Sequence, residues 1–160
     1  VVTRGKPAHN VFATLVRHPK LFKRWTPFGG HLLFTSSLPA RERELLILRA
    51  AWLTRAEYEW GQHVEIAKRA GLGEAEIERV AAGPDAAGWT EDEAALLRAA
   101  NELWKDACLS DRSWAALSRR LSETQLMDLV FTVGAYVMLA MALNSFGVRL
   151  DSGLKGFPEG

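Results

Sequence analysis

Apolar residues recur at helical spacing along almost the whole chain, and this pattern restricts the fold more than any other feature of the sequence. Sustained alternation of apolar and polar residues, which marks a half-buried strand, is absent, and no Asn-Gly or Asp-Gly turn joins two β-branched runs. The strongest helical segment is ARERELLILRAAWLT, residues 40–54. The sequence therefore predicts an all-α fold with about seven or eight helices.

Residues that can cap a helix mark several of the expected boundaries. Thr90 with Glu93 three residues later forms a capping-box pattern, and Ser122 precedes a long apolar segment. Thr54 and Glu57 show the same pattern, so we predict that Thr54 caps a helix running to about residue 70.

The length and composition are those of one ordinary globular domain. The chain has 160 residues, of which 48% are apolar and 24% are charged. No internal repeat or linker divides it. We expect a single domain over residues 1–160, with an N-terminal helical extension (1–37), a core (38–147) and a tail (148–160).

Charge and cysteine content exclude several classes of partner and site. The net charge is +1 and basic and acidic residues are interleaved, so there is no basic stripe for a nucleic acid, and we expect no nucleic-acid partner. Cys108 is the only cysteine, which excludes an intrachain disulfide and a cysteine-based zinc site among these residues.

The most apolar segment, residues 126–143, is interrupted by Asp128, Thr132 and Tyr136. Polar residues are unusual within a membrane span, so we predict a helix buried in the core or in a subunit interface. Charged residues from Arg4 onward make the N-terminal region unlike a signal peptide. We therefore expect a cytoplasmic protein with no membrane association.

Glu59 and His63 stand four residues apart on the predicted helix after residue 54, and Glu44 lies on the helix before it. Residues at this spacing share a helix face, with their Cβ atoms about 5–6 Å apart. A short turn makes the two helices antiparallel neighbours, so we expect Glu44 to approach Glu59 and His63. Two carboxyl groups and an imidazole between apolar walls suit proton transfer, because one member can hold a proton while another accepts one.

Two other interpretations stay open on spacing alone. Glu59 and His63 could form a partly exposed ion pair at a helix start, which contributes only about a few tenths of a kcal/mol. With Glu44 they could also ligate zinc, iron or manganese, although no second histidine stands at a ligand spacing. We therefore expect no bound metal.

The chain resembles the carboxymuconolactone decarboxylase and AhpD-like alkylhydroperoxidase superfamily in two segments, LPARERELLILRAAWLTRAEYEWGQHVEIAKRAGL (38–72) and LVFTVGAYVMLAMALNSFGV (129–148). The peroxidase branch of that superfamily has a glutamate, eleven residues, a CxxC motif, three residues and a histidine. On this chain the glutamate is Glu44 and the histidine is His63, but the cysteine positions hold Ala56 and Glu59. Peroxidase chemistry needs both thiols, so the resemblance does not support that activity.

The residues that remain resemble the cofactor-independent decarboxylase branch, which acts on small lactones and acids from aromatic catabolism. The resemblance implies that His63 is the general acid/base, that Glu59 orients it or shares its proton, and that Glu44 tunes both. We also predict that a substrate would be bound by Tyr58 and Tyr136, as donors to an enolate, and by Arg49, as partner of a carboxylate.

The leading hypothesis is therefore an enzyme that needs no cofactor and acts on a small organic acid or lactone, by decarboxylation or else by isomerisation or hydrolysis. The resemblance also implies a homo-oligomer, namely a dimer, trimer or hexamer. One alternative is a non-catalytic, oligomeric ligand-binding protein of the same fold. A peroxidase-type redox protein without the CxxC motif is the weaker alternative.

Overall fold

The structure, a computed structural model, describes residues 8–158; residues 1–7, with Arg4 among them, and 159–160 lie outside this range. The described part is helical, as predicted, and contains no strand. Its elements are eight α-helices and one short π-helical turn: α1 (Asn10–Leu15), α2 (Pro19–Gly30), the π-helical turn (His31–Thr35), α3 (Ala40–Leu53), α4 (Glu57–Arg69), α5 (Glu74–Ala82), α6 (Glu91–Asp106), α7 (Asp111–Ser118) and α8 (Glu123–Ser145).

Helix α3 lies at the centre of the fold. Every residue from 43 to 51 is buried, and the helix contacts α4, α5, α6 and α8. Its run of leucine, isoleucine and alanine residues is apolar on nearly all sides, as expected of a helix enclosed by others. Polar side chains on an enclosed helix of this kind do not reach solvent. Glu44 and Arg49 must therefore find partners inside the protein.

Arg49 joins α3 to the end of α5. Its Nη1 donates to the backbone carbonyls of Val80 and Ala81, at 2.8 and 2.9 Å, and its Nε donates to Oδ1 of Asn101 at 2.7 Å. The last carbonyls of a helix lack partners within the helix, and a cation beside them is favourable. The sequence predicted a substrate-binding role for Arg49, but the structure uses all three of these donors to hold helices together.

The turn between α3 and α4 differs from the prediction. Thr54 ends α3 instead of capping α4, because its hydroxyl donates to the carbonyl of Ala50 at 2.7 Å. A threonine hydroxyl competes in this way for the carbonyl four residues back. Helix α4 begins at Glu57 with Ala56 as its cap residue. The Thr90 capping box at the start of α6 forms as predicted.

Residues 10–35, which we call the roof, comprise α1, α2 and the π-helical turn. No residue of α2 is buried, but Val11 of α1 and Leu32 of the π-helical turn are, so the roof is anchored in the core at its two ends. One aspartate holds each end. Asp128 of α8 accepts from the backbone N and the hydroxyl of Ser37, at 2.6 and 2.7 Å. Asp151 of the tail accepts from the backbone N of Asn10 at 2.9 Å.

The tail packs back onto α4. The ring of Phe157 lies 5.1 Å from that of Trp52 and 5.5 Å from that of Trp60, measured between ring centroids. Close approach depends on Gly61, since a Cβ atom there would lie 2.7 Å from both the carbonyl oxygen of Lys155 and Cδ2 of Leu150. A glycine on the tail-facing side of α4 is therefore a packing requirement.

Helix α8 is long and apolar enough, by length and composition alone, to cross a membrane, and 44% of its most apolar window is buried inside the fold. Its buried face includes Asp128, Thr132 and Tyr136. The opposite face is also apolar and is exposed. It carries the α8 patch, which we define as Met127, Phe131, Met138 and Met141.

Replacing Gly61 by alanine should lower the free energy of unfolding by about 1–3 kcal/mol, because the added methyl group forces the tail away from α4. Gly30→Ala is the matched control, since that glycine at the end of α2 has helical backbone angles and open space around its Cβ position. It should be neutral or stabilise by up to about 1 kcal/mol. Urea unfolding of both variants measures the difference, and equal stabilities would contradict a tight tail contact.

Candidate functional site

A cavity of about 630 Å³ lies between the roof and helices α3, α4 and α8. Most of its wall is apolar, and the polar side chains come chiefly from α4. The apolar part includes Val11, Trp25, Leu32, Leu33, Ile66, Leu139 and Leu143, and the polar part includes Arg43, Tyr58, Glu59, Gln62, His63, Arg69 and Tyr136. Apolar pockets with a few convergent polar groups are typical of small-molecule sites.

Glu44 and His63 form a buried pair across the α3–α4 contact. Nδ1 of His63 lies 2.7 Å from Oε2 of Glu44, and Glu44 has no solvent exposure. His63 lines the cavity, whereas Glu44 stands behind it. A carboxylate on Nδ1 fixes the ring and its tautomer, so Nε2 is the nitrogen left for proton transfer. The predicted approach of Glu44 to His63 is therefore what the structure shows.

Arg43 also contacts Glu44, which the sequence spacing did not predict. Its Nε and Nη2 each lie 3.1 Å from Oε1 of Glu44, and its side chain also lines the cavity. Adjacent residues on a helix do not normally face each other, so the RERE run at 41–44 gave no signal of this contact. With Arg43 on one oxygen and His63 on the other, the Glu44 carboxylate is compensated on both sides.

Glu59 is buried without a partner. Its side chain lines the cavity, only 2% of the residue is exposed, and neither carboxyl oxygen has a hydrogen-bond partner among residues 8–158. Burial raises the pKa of Glu59 well above its ordinary value, which favours the protonated form of its carboxyl. The sequence predicted that Glu59 orients His63 or shares its proton. Glu44 makes the orienting hydrogen bond, and the sharing of a proton stays a prediction.

Tyr136 of α8 completes the reactive wall. Its ring stands edge-on to the His63 imidazole, with centroids 4.9 Å apart and planes at 88°. Burial raises the pKa of Tyr136 well above its ordinary value, and the nearby charge of Glu44 adds to this effect. The phenol therefore keeps its proton and can act as a donor beside His63, in keeping with its predicted role.

Tyr58 lines the cavity, but its hydroxyl is already engaged. It accepts from the backbone N of Val11 at 3.2 Å and from Nε2 of Gln62 at 3.1 Å, and it donates to Oδ2 of Asp151 at 3.0 Å. Burial raises the pKa of Tyr58 to about 12. These contacts tie the roof, α4 and the tail together, so the geometry favours a structural role over the predicted contact with an enolate.

The structure thus brings Glu59, His63 and Tyr136 to one cavity wall. It places Glu44 behind His63 and leaves Arg49 outside the cavity. Cys108 is exposed beyond the end of α6 and does not line the cavity. Among the described residues, no group of three His, Cys, Asp or Glu side chains is arranged to hold a metal ion.

The carboxymuconolactone decarboxylase family model matches residues 19–102, just over half of the chain. The chain belongs to this family. The matched region runs from α2 into α6 and includes Glu44, Glu59 and His63. The residues matched by the family model therefore form one side of the cavity, and Tyr136 on α8 lies beyond them.

Solved structures of similar fold agree with this assignment. A protein of unknown function from Agrobacterium tumefaciens, described as a candidate antioxidant-defence protein AhpD, is 20% identical, with a TM-score of 0.77 over 86% of this chain and 95% of that one. A peroxidase-related protein from Ralstonia eutropha JMP134 with an alkylhydroperoxidase AhpD core is 19% identical, with a TM-score of 0.81 over 89% and 77%. These likenesses establish an AhpD-like fold.

A third similar structure is the debrominase Bmp8 in complex with 2,3,4-tribromopyrrole, which is 15% identical, with a TM-score of 0.79 over 91% of this chain and 79% of that one. No curated protein matches the chain in sequence. At these identities the fold is shared, while reactions differ among proteins that share it.

Replacing Glu59 by glutamine should stabilise the protein increasingly as pH rises. Because the folded-state pKa lies above the ordinary 4.5, the stabilising effect of the protonated carboxyl is complete below pH 4.5 and is lost as pH rises towards the folded pKa. Glutamine stays neutral throughout. The difference in unfolding free energy between Glu59→Gln and wild type should grow by at most about 1.4 kcal/mol per pH unit.

Thermal unfolding of wild type and variant across a pH series measures this gap. Glu78→Gln is the control, because Glu78 is exposed on α5 and its replacement should give a nearly constant difference. A gap for Glu59→Gln that stays equally constant would contradict the neutral buried carboxyl.

Proposed function

We propose that the protein is an enzyme that performs acid–base chemistry, without a cofactor, on an organic acid or lactone, with decarboxylation as the leading reaction. The observation that carries this proposal is the pairing of opposite environments on one cavity wall. His63 is held by Glu44 at 2.7 Å, while the neighbouring carboxyl of Glu59 has no hydrogen-bond partner among residues 8–158 and burial raises its pKa. Titratable groups whose environments differ in this way serve as acids and bases.

In a decarboxylation, the bond between the substrate carbon and its carboxylate breaks, and carbon dioxide leaves. The electron pair passes to a conjugated carbonyl, whose oxygen becomes an enolate. The protonated carboxyl of Glu59 and the phenol of Tyr136 can donate hydrogen bonds to that oxygen. A protonated His63 then gives its proton to the carbon and regains one from solvent, so one proton is consumed per turnover.

Isomerisation or hydrolysis of a lactone would use the same groups, with His63 as the base. The main alternative is a protein that binds a ligand in this cavity without turning it over, since the unpartnered oxygens of Glu59 also suit binding. Thiol chemistry has less support, because Ala56 and Glu59 occupy the positions of the CxxC cysteines and Cys108 is remote from the cavity.

His63→Gln should lower kcat by about 10²- to 10⁴-fold, because glutamine can keep a hydrogen bond to Glu44 but cannot transfer a proton. The assay is carbon dioxide release, together with loss of ultraviolet absorbance, over a panel of unsaturated lactones and dienoic acids. Cys108→Ser should retain full activity.

Undiminished turnover in His63→Gln would remove the acid–base role. If wild type binds members of the panel and converts none of them, the ligand-binding alternative takes its place. Activity lost in Cys108→Ser would point to thiol chemistry instead.

We also propose that the protein is a homo-oligomer in which the α8 patch is buried between copies. Met127, Phe131, Met138 and Met141 are each about half exposed or more, and the ring of Phe28, 6.3 Å from that of Phe131, is also exposed. A contiguous apolar surface on one helix is typical of a subunit interface. A dimer, trimer or hexamer would cover it.

A Phe131→Glu and Met138→Glu double variant should dissociate the oligomer, because buried like charges would face each other across the interface. Light scattering coupled to size-exclusion chromatography gives the mass of each species. Trp114→Glu, on an exposed aromatic residue of α7, should leave the mass unchanged. A monomeric wild type, or a double variant with the wild-type mass, would contradict the proposal.

A further inference from the structure

The cavity is elongated along α4. Its polar lining runs from Tyr58 and Glu59 near the start of the helix to Arg69 at its last residue. Ten residues separate Glu59 from Arg69, which at the rise of an α-helix corresponds to about 15 Å along the axis. On the facing helix the lining extends from Ala135 to Leu143, about 12 Å. The space is thus a long slot, not a compact pocket.

The volume agrees with this shape. About 630 Å³ falls in the middle of the range of pockets that enclose drug-sized ligands, about 300–1,000 Å³. A small lactone held against Glu59 and His63 would leave the Arg69 end empty. The wall between the two ends is apolar and includes Trp25, Ile66 and Leu139, so the middle of the slot suits a hydrocarbon body.

The charges of the lining favour an anion at the far end. Among residues 8–158, Glu59 is the only acidic residue that lines the wall, and burial disfavours its charged form. Three of the basic residues already have carboxylate partners, since Arg43 and His63 pair with Glu44 and His9 pairs with Asp151. Arg69 is exposed at the mouth, and no carboxylate of residues 8–158 lies within ion-pair distance of it.

We propose that the slot binds an elongated, mainly apolar acid that carries a non-reacting carboxylate about 15 Å from its reacting group, and that Arg69 pairs with this carboxylate. The position of the reacting group beside Glu59 and His63 rests on the proposed function. The carboxylate at Arg69 is retained in the product. A decarboxylated substrate is accordingly a dicarboxylate, and only the acid group beside His63 is lost.

Dodecanoate, hexanoate and methyl dodecanoate serve as probes, each titrated below its aggregation limit into the full chain by calorimetry. Dodecanoate should bind more tightly than hexanoate, because it reaches from Arg69 along the apolar wall. Arg69→Gln should weaken the binding of dodecanoate by about tenfold, which is the usual effect of losing one charge-assisted hydrogen bond. It should leave the binding of the methyl ester unchanged. Lys68→Gln removes the same charge one residue away, outside the slot, and should change neither.

Ile66→Trp locates the probe, because Ile66 lines the slot between its two ends and an indole there blocks it. Dodecanoate should then bind at least about tenfold more weakly, with hexanoate less affected. Equal affinity for the two chain lengths in wild type, or equal effects of Arg69→Gln and Lys68→Gln, would overturn the proposal.

These outcomes separate the two proposals. If His63→Gln retains turnover while Arg69→Gln binds dodecanoate more weakly, the proposed acid–base function is wrong and the proposed binding of an elongated acid is supported. If His63→Gln is inactive and Arg69→Gln binds dodecanoate like wild type, the function stands and the role of Arg69 is wrong.

Discussion

The site depends on the burial of a charge inside the central helix. Glu44 lies on α3 where solvent does not reach, and the cost of removing a carboxylate from water is offset only by close partners. Arg43 from the same helix and His63 from α4 supply them. The register between α3 and α4 is thereby restricted, because sliding either helix would leave Glu44 uncompensated. The position of His63 in the cavity follows from this register.

The two glutamates of the candidate site, Glu44 on α3 and Glu59 one turn before His63 on α4, have opposite environments. Glu44 accepts from two partners, whereas Glu59 faces the cavity with none. Burial alone acts on Glu59 and raises its pKa, so the pair supplies one carboxyl group that orients a base and one that holds a proton. Lysine or arginine beside Glu59 would abolish this difference by favouring its ionised form.

Periodicity, caps and spacing predicted the helices and the approach of Glu44 to His63, because these depend on residues close in sequence or on one short turn. Long-range partners were not predictable. Arg49 meets carbonyls more than thirty residues away, and Thr54 turned back to Ala50 although its sequence pattern also fits a cap. The roof could not be placed over the cavity either, since its contacts with Asp128 and Asp151 join distant parts of the chain.

The attachment of the roof has a consequence for how a molecule reaches the cavity. Because α2 buries no residue, lifting α2 alone disrupts mainly the edge contact between Phe28 and Phe131, while Val11 and Leu32 stay buried at the ends of the roof and the packing around α3 stays intact. Opening of this local kind requires far less free energy than unfolding of the domain. Access to the interior is therefore a low-energy fluctuation at the periphery, kinetically separate from the stability of the core.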